Sequence, residues 1–178
     1  MYVLVAYATK HGATEGIAAR IGAALAAAGH DPDVRDAGDV ADVSGYDAFV
    51  VGSAAYIGHW RKEALELARR LEEERNGRPV WLFSSGPLGD GPTDEQGRDK
   101  RESAEPQDLP ELLSQLQPQD HRVFFGALDP GSLTLPEKAM RTLPAGRALL
   151  PQGDYRDWDD IDAWARDIAA DMGSRQGT

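Results

Sequence analysis

Four short apolar runs, set apart by stretches of helical periodicity, restrict this chain more than any other feature of its sequence. They are residues 2–8 (YVLVAYA), 46–52 (YDAFVVG), 79–84 (PVWLFS) and 122–126 (RVFFG). Each is continuously apolar rather than alternating, the mark of a strand buried on both faces in a parallel sheet. A weaker, polar candidate at residues 33–36 fits a strand near an edge. Between the runs the spacing changes. From Thr14, Ile17, Ile21, Leu25 and Ala28 recur at helical intervals until Gly29 ends the pattern. Trp60, Ala64, Leu67, Ala68 and Leu71 form a second helical face that stops at Asn76-Gly77. A last helix starts near Asp157 or Asp159 and carries Ile161, Trp164, Ala165, Ile168 and Met172, with aspartates in its first turn, where the helix dipole favours them.

Strands alternating with helices predict an α/β domain, a parallel sheet covered by helices on both faces. Five strands and right-handed crossovers leave the doubly wound, flavodoxin-like three-layer sandwich, strand order 2-1-3-4-5, as the simplest arrangement. The 178 residues are 41% hydrophobic, enough for one packed core, and neither repeats nor a linker divide them. The reading is one domain over 1–178 with a long inserted loop at about 86–106. Residues 130–151 are irregular too, apart from a short helix around 137–142.

Composition removes several function classes. Without cysteine there are no disulfides, thiolate metal sites or thiol nucleophiles. A net charge of −11 opposes the phosphate neutralisation on which nucleic-acid binding depends, so no nucleic-acid partner is expected. The same charge disfavours anionic lipid and suits a basic protein partner. The N-terminus lacks the basic segment of a signal peptide, and no apolar stretch reaches bilayer length, so a cytoplasmic protein without a transmembrane segment is expected.

In an open α/β sheet, ligands bind beyond the carboxyl ends of the strands, near the switch in strand order. That singles out the loops after residues 8, 52 and 84. The first, TKHGAT, hands a strand to a helix whose unpaired N–H groups and positive dipole end suit an anion. Gly12 lets the backbone come close, and Thr9 and Thr14 offer hydroxyls; equally, either threonine could simply cap the helix. Neither the dinucleotide Gly-x-Gly-x-x-Gly nor the nucleoside-triphosphate P-loop is present. The second loop, GSAAYIGHW, and the third, SSGPLGDG, combine small residues and backbone donors with Tyr56, which suits a flat heteroaromatic ring. Trp60 reads as core. His11 and His59 read as hydrogen-bonding loop members, with proton donation to a ring the alternative. No catalytic residue is assigned, and no metal site is expected.

These residues carry a family resemblance. YATKHGAT resembles the FMN-phosphate loop of flavodoxins. GSAAYIGHW, FFGALDP and DYRDWDDIDAWARDIA resemble, in order, segments of the menaquinone-dependent protoporphyrinogen IX dehydrogenase branch of flavodoxin-domain proteins, and the likeness spans nearly the whole chain. The resemblance implies non-covalent FMN. Thr9, Lys10, His11, Gly12, Ala13 and Thr14 would hold its phosphate. Ala54, Ala55, Tyr56, Ile57 and Gly58 would flank the ring on one side, and Ser85, Gly86, Pro87, Leu88 and Gly89 on the other. It further implies an oxidoreductase that oxidises a porphyrinogen substrate and passes electrons to a quinone.

Two positions depart from that branch. Its basic loop is acidic here: Asp90, Asp94, Glu95, Asp99, Glu102 and Glu105 outnumber Arg98, Lys100 and Arg101. Ala55 stands where the branch carries an arginine. A negative loop repels porphyrinogen carboxylates and anionic head groups. The alternative function is therefore a flavodoxin-type electron carrier docking to a basic redox protein. A domain that kept the fold and lost its flavin ranks third.

Overall fold

Each apolar run becomes a strand of one parallel sheet. The structure, a computed structural model, describes residues 1–94 and 96–176, so Glu95 of the acidic loop and the last two residues of the expected domain, Gly177 and Thr178, lie outside the described residues. In chain order the elements are β1 (Tyr2–Ala8), α1 (Ala13–Ala27), β2 (Asp31–Asp36), β3 (Ala48–Tyr56), β4 (His59–Trp60), α2 (Lys62–Glu74) and β5 (Val80–Ser85). They continue with α3 (Lys100–Ser103), α4 (Leu109–Leu116), β6 (His121–Phe124), β7 (Ala127–Leu128), α5 (Leu135–Met140), α6 (Pro144–Leu149), β8 (Gly153–Asp154) and α7 (Trp158–Gln176). The sheet runs β2-β1-β3-β5-β6, with every pair along this path parallel. Counting those five strands in sequence gives the expected order 2-1-3-4-5. Two-residue β4 pairs antiparallel with the end of β3, and β7 pairs antiparallel with β8 apart from the main sheet.

Side chains alternate across the strands and bury both faces. Val3 and Val5 of β1 share one core with Ile17, Ile21 and Leu25 of α1 and with Ile161, Trp164 and Ile168 of α7. Leu4 and Ala6 face the opposite core, with Leu67 and Leu71 of α2 and Leu112 and Leu116 of α4. Each fully buried leucine or isoleucine contributes roughly 1.5–3 kcal/mol relative to exposure. Gly52 is dictated by this packing: a Cβ there would lie 2.0 Å from the Phe83 ring. The aromatic cluster of Phe83, Phe124 and Trp164, with ring centroids 5.5–6.1 Å apart, therefore depends on a glycine in the neighbouring strand.

Several elements differ from the sequence expectation. β3 runs on to Tyr56 rather than ending at Gly52, because β4 folds back and supplies partners for Ala55 and Tyr56. Trp60 is buried as expected, but in β4 rather than at the start of α2. The 86–106 segment is not structureless, since a Thr93–Asp99 bridge and the single turn of α3 organise it. Helix α4, which makes the crossover between β5 and β6, had no sequence counterpart. The short helix expected at 137–142 begins earlier, as α5, and α6 follows it. Among the described residues, no helix is long and apolar enough to cross a membrane.

Candidate functional site

Because β1, β3 and β5 are neighbours, their carboxyl ends open onto one crevice, a cavity of about 130 Å³. Thr9, Lys10, His11, Ala13 and Thr14 line it from the β1–α1 loop; Ala54, Ala55 and Tyr56 from the end of β3; Ser85, Gly86 and Leu88 from the segment after β5. The remaining residues expected at the site, Gly12, Ile57, Gly58, Pro87 and Gly89, do not line it. Gly12 is the left-handed residue, φ +85°, that turns the loop into α1. Ile57 and Gly58, at φ +53° and +76°, make the tight turn from β3 into β4, and Ile57 is 79% exposed at its tip. A branched side chain at positive φ is uncommon and marks local strain. Pro87 acts through its carbonyl, which accepts from the Gly126 N–H at 2.9 Å. Gly89 lines a separate cavity of about 360 Å³, with Arg101, Phe125, Tyr155 and Arg156.

The first loop hands over to α1 at Gly12. Thr9 Oγ1 accepts from the Gly12 N–H at 3.0 Å and so braces the loop. Thr14, fully buried, lies with Oγ1 3.3 Å from Ser85 Oγ and ties the start of α1 to the end of β5. Neither threonine caps the helix, and no side chain does. The first-turn N–H groups and the positive dipole end of α1 are thus left without a side-chain acceptor, beside a cavity that Ala13 and Thr14 line.

The sequence reading missed part of the wall. Gly126, Ala127 and Leu128 line the cavity, from within the FFGALDP stretch quoted for its resemblance alone. It also missed Glu137, which comes in from α5 and is only 6% exposed. Glu137 Oε1 accepts from Lys10 Nζ at 2.6 Å and from the Tyr56 hydroxyl at 3.2 Å, and lies 3.4 Å from His11 Nε2. Its Oε2 accepts from the Thr134 N–H at 2.9 Å and hydroxyl at 2.8 Å. The Thr134-x-x-Glu137 spacing is that of a capping box, the one local signal that could have pointed to this glutamate. Burial pushes its carboxyl up, but the Lys10 ammonium and the Thr134 donors outweigh this and hold it at about 2. Burial likewise opposes charge on Lys10, yet Glu137 and Tyr56 raise its pKa. The Lys10 ammonium lies 3.4 Å from the centre of the Tyr56 ring, a close cation–π contact. His59 stands apart, with Nδ1 3.2 Å from Asp108.

Below the crevice runs a second, uncharged polar chain. Trp60 Nε1 donates to Ser84 Oγ at 2.8 Å, and Ser84 Oγ is 3.0 Å from His121 Nε2. Burial lowers the His121 pKa to about 4, with Asp120 opposing it.

The comparisons with known proteins agree with this architecture. No curated protein sequence matches the chain. The rubredoxin:oxygen oxidoreductase of Desulfovibrio gigas superposes over 99% of the chain with a TM-score of 0.63 at 12% identity, and the chain spans 37% of that protein. A flavodoxin from the domain Archaea gives a TM-score of 0.58 at 15% identity, over 97% of this chain and 99% of the other. The flavodoxin of Streptococcus pneumoniae gives 0.60 at 17% identity, over 96% and 99%. These likenesses carry the fold. A model of the flavodoxin domain family matches residues 4–144. The chain belongs to the flavodoxin domain family.

Proposed function

We propose that this protein binds FMN non-covalently in the crevice and passes electrons through it to a basic redox-protein partner. The observation that carries the cofactor is the start of α1, an uncapped helix terminus beside a cavity walled by the ends of three neighbouring strands. The N–H groups and hydroxyls of residues 9–14 would hold the phosphate. Ala54, Ala55 and Tyr56 would flank the ring on one side, and Ser85, Gly86 and Leu88 on the other. Bound there, FMN supplies one- and two-electron redox chemistry, while the chain positions it and sets its electrostatics.

The rim favours a basic partner. In the 86–106 segment Arg98 is paired with Asp94 at 2.7 Å, Arg101 with Asp160 at 3.1 Å, and Lys100 Nζ donates to the Asp90 carbonyl at 2.7 Å. Its cations are therefore engaged locally, while Asp90, Glu102 and Glu105 stay exposed. That distribution, on a chain of net charge −11, attracts a basic surface and repels carboxylates and anionic lipid. The enzyme reading, quinone-linked oxidation of a porphyrinogen in the cytoplasm, is supported by the order of the resembling segments, one of which supplies Gly126–Leu128 to the crevice wall.

The purified protein should be yellow and release FMN on denaturation. A colourless protein that takes up no added FMN overturns the cofactor assignment. Rapid electron exchange with a basic redox protein, slowed by salt, supports the carrier; salt-independent turnover of a porphyrinogen with a quinone selects the enzyme.

A further inference from the structure

Glu137 is more deeply buried than a solvated helix acid has reason to be, and its carboxylate meets the two charged or ionisable side chains of the proposed phosphate loop, Lys10 and His11. Lys10 is in turn drawn over the face of Tyr56, the ring expected to flank the flavin. One carboxylate thus engages the loop's cation and the aromatic wall together, and through Thr134 it is fastened to its own segment. The rest of α5 holds little. It is six residues long, and Leu135 is 83% exposed, with Met140 and, just beyond, Leu143 also exposed. A helix this short has marginal stability of its own, so side-chain anchors decide where it rests.

We propose that Glu137 is an internal competitor of the cofactor phosphate: α5 is an anion-displaceable latch that holds Lys10 over Tyr56, and cofactor entry requires its release. The proposal rests on the FMN reading for the identity of the displacing ligand, but not for the latch itself. A phosphate at the start of α1 and a carboxylate on Lys10 are like charges drawn to one cation, so binding of one weakens the hold of the other. The latch therefore reduces the apparent cofactor affinity by the fraction of molecules in which it is closed.

Two measurements test this, with circular dichroism as the folding control. The first is association of FMN with flavin-free protein, followed by quenching of flavin fluorescence. Glu137→Gln keeps the size of the side chain and removes its charge, and should bind FMN on the order of tenfold faster than wild type. Thr134→Val, which removes one donor to the carboxylate, should shift the rate the same way by less. Equal rates in all three proteins overturn the latch. The second is amide hydrogen exchange across residues 135–141. It should quicken in flavin-free Glu137→Gln, and in wild type on adding FMN or inorganic phosphate. Slower exchange on ligand binding would mean a lid that closes over the cofactor, and overturns the proposal. If neither protein takes up FMN, the cofactor reading fails while the latch is still decided: α5 loosened by inorganic phosphate and by Glu137→Gln supports it, and exchange unchanged by both refutes it.

Discussion

Two groups of polar side chains, one joining β4, β5 and β6 and the other joining the β1–α1 loop, β3 and α5, are built on opposite principles. Trp60, Ser84 and His121 are neutral and satisfy one another in the interior of the sheet. Lys10 and Glu137 form an ion pair that His11 and Tyr56 join at the crevice mouth, where Lys10 keeps partial access to solvent. A neutral buried network fixes one arrangement, because Trp60 Nε1 and His121 Nε2 both meet Ser84 Oγ and both lose that contact when it moves. A charged cluster at a mouth can trade one anion for another with little change in its own energy. The first is framework and the second is equipment for exchange.

That contrast breaks most readily at Trp60. Replacing it with alanine removes a buried indole and leaves Ser84 short of a donor, at a cost of roughly 3–5 kcal/mol in urea denaturation. Lys10→Met should cost less, roughly 1.5–3 kcal/mol, because Glu137 keeps its Thr134 and Tyr56 donors when the Lys10 charge is lost. Similar losses from the two changes would erase the distinction.

A pH titration comes next in size. His121 has a folded pKa near 4, below the ordinary histidine value of 6.5, so the unfolded chain binds more protons between those limits. The stability it confers is complete above pH 6.5 and is lost as pH falls toward 4, by about 3 kcal/mol in all. His121→Gln should flatten this part of the profile, and an unchanged slope would remove His121 from the account. Glu137 titrates elsewhere. Its carboxyl is depressed from 4.5 to about 2, so its contribution is present above pH 4.5 and lost as pH falls through 2. The effect of His121→Gln between pH 4 and 6.5 should therefore be the same in wild type and in Glu137→Gln, and a smaller effect in the second would show His121 and Glu137 to be coupled.

The smallest effect belongs to Thr14. Its hydroxyl bridges toward Ser85 and borders the crevice, so Thr14→Ala should weaken FMN by roughly 1 kcal/mol in a fluorescence titration. Unchanged affinity would make it part of the framework alone.

The framework was legible in the sequence because its signals are local. Continuous apolar runs became β1, β3, β5 and β6, and Gly29 ends the α1 pattern at φ +87° with His30 N–H bonded to the Leu25 carbonyl at 3.1 Å. Where pairing is non-local, the signal failed. Ala55 and Tyr56 extend β3 only because a hairpin folds back on them. Helix α4 has leucines at 109, 112, 113 and 116, but two turns opening on a proline offer too short a period to stand out beside an irregular loop. Glu137 reaches Lys10 across 127 residues of chain, and no local pattern reports that meeting.

At the far side of the sheet, β2 carries Asp31, Pro32, Asp33, Arg35 and Asp36 on the outermost strand of a path that ends there. A strand so placed would template a second copy of the chain if it were flat and apolar. Proline withholds a donor and the aspartates charge the rim, so the sheet stops growing at five parallel strands. The polar strand at this end of the path thus presents a free edge ill suited to pairing with another copy of the chain.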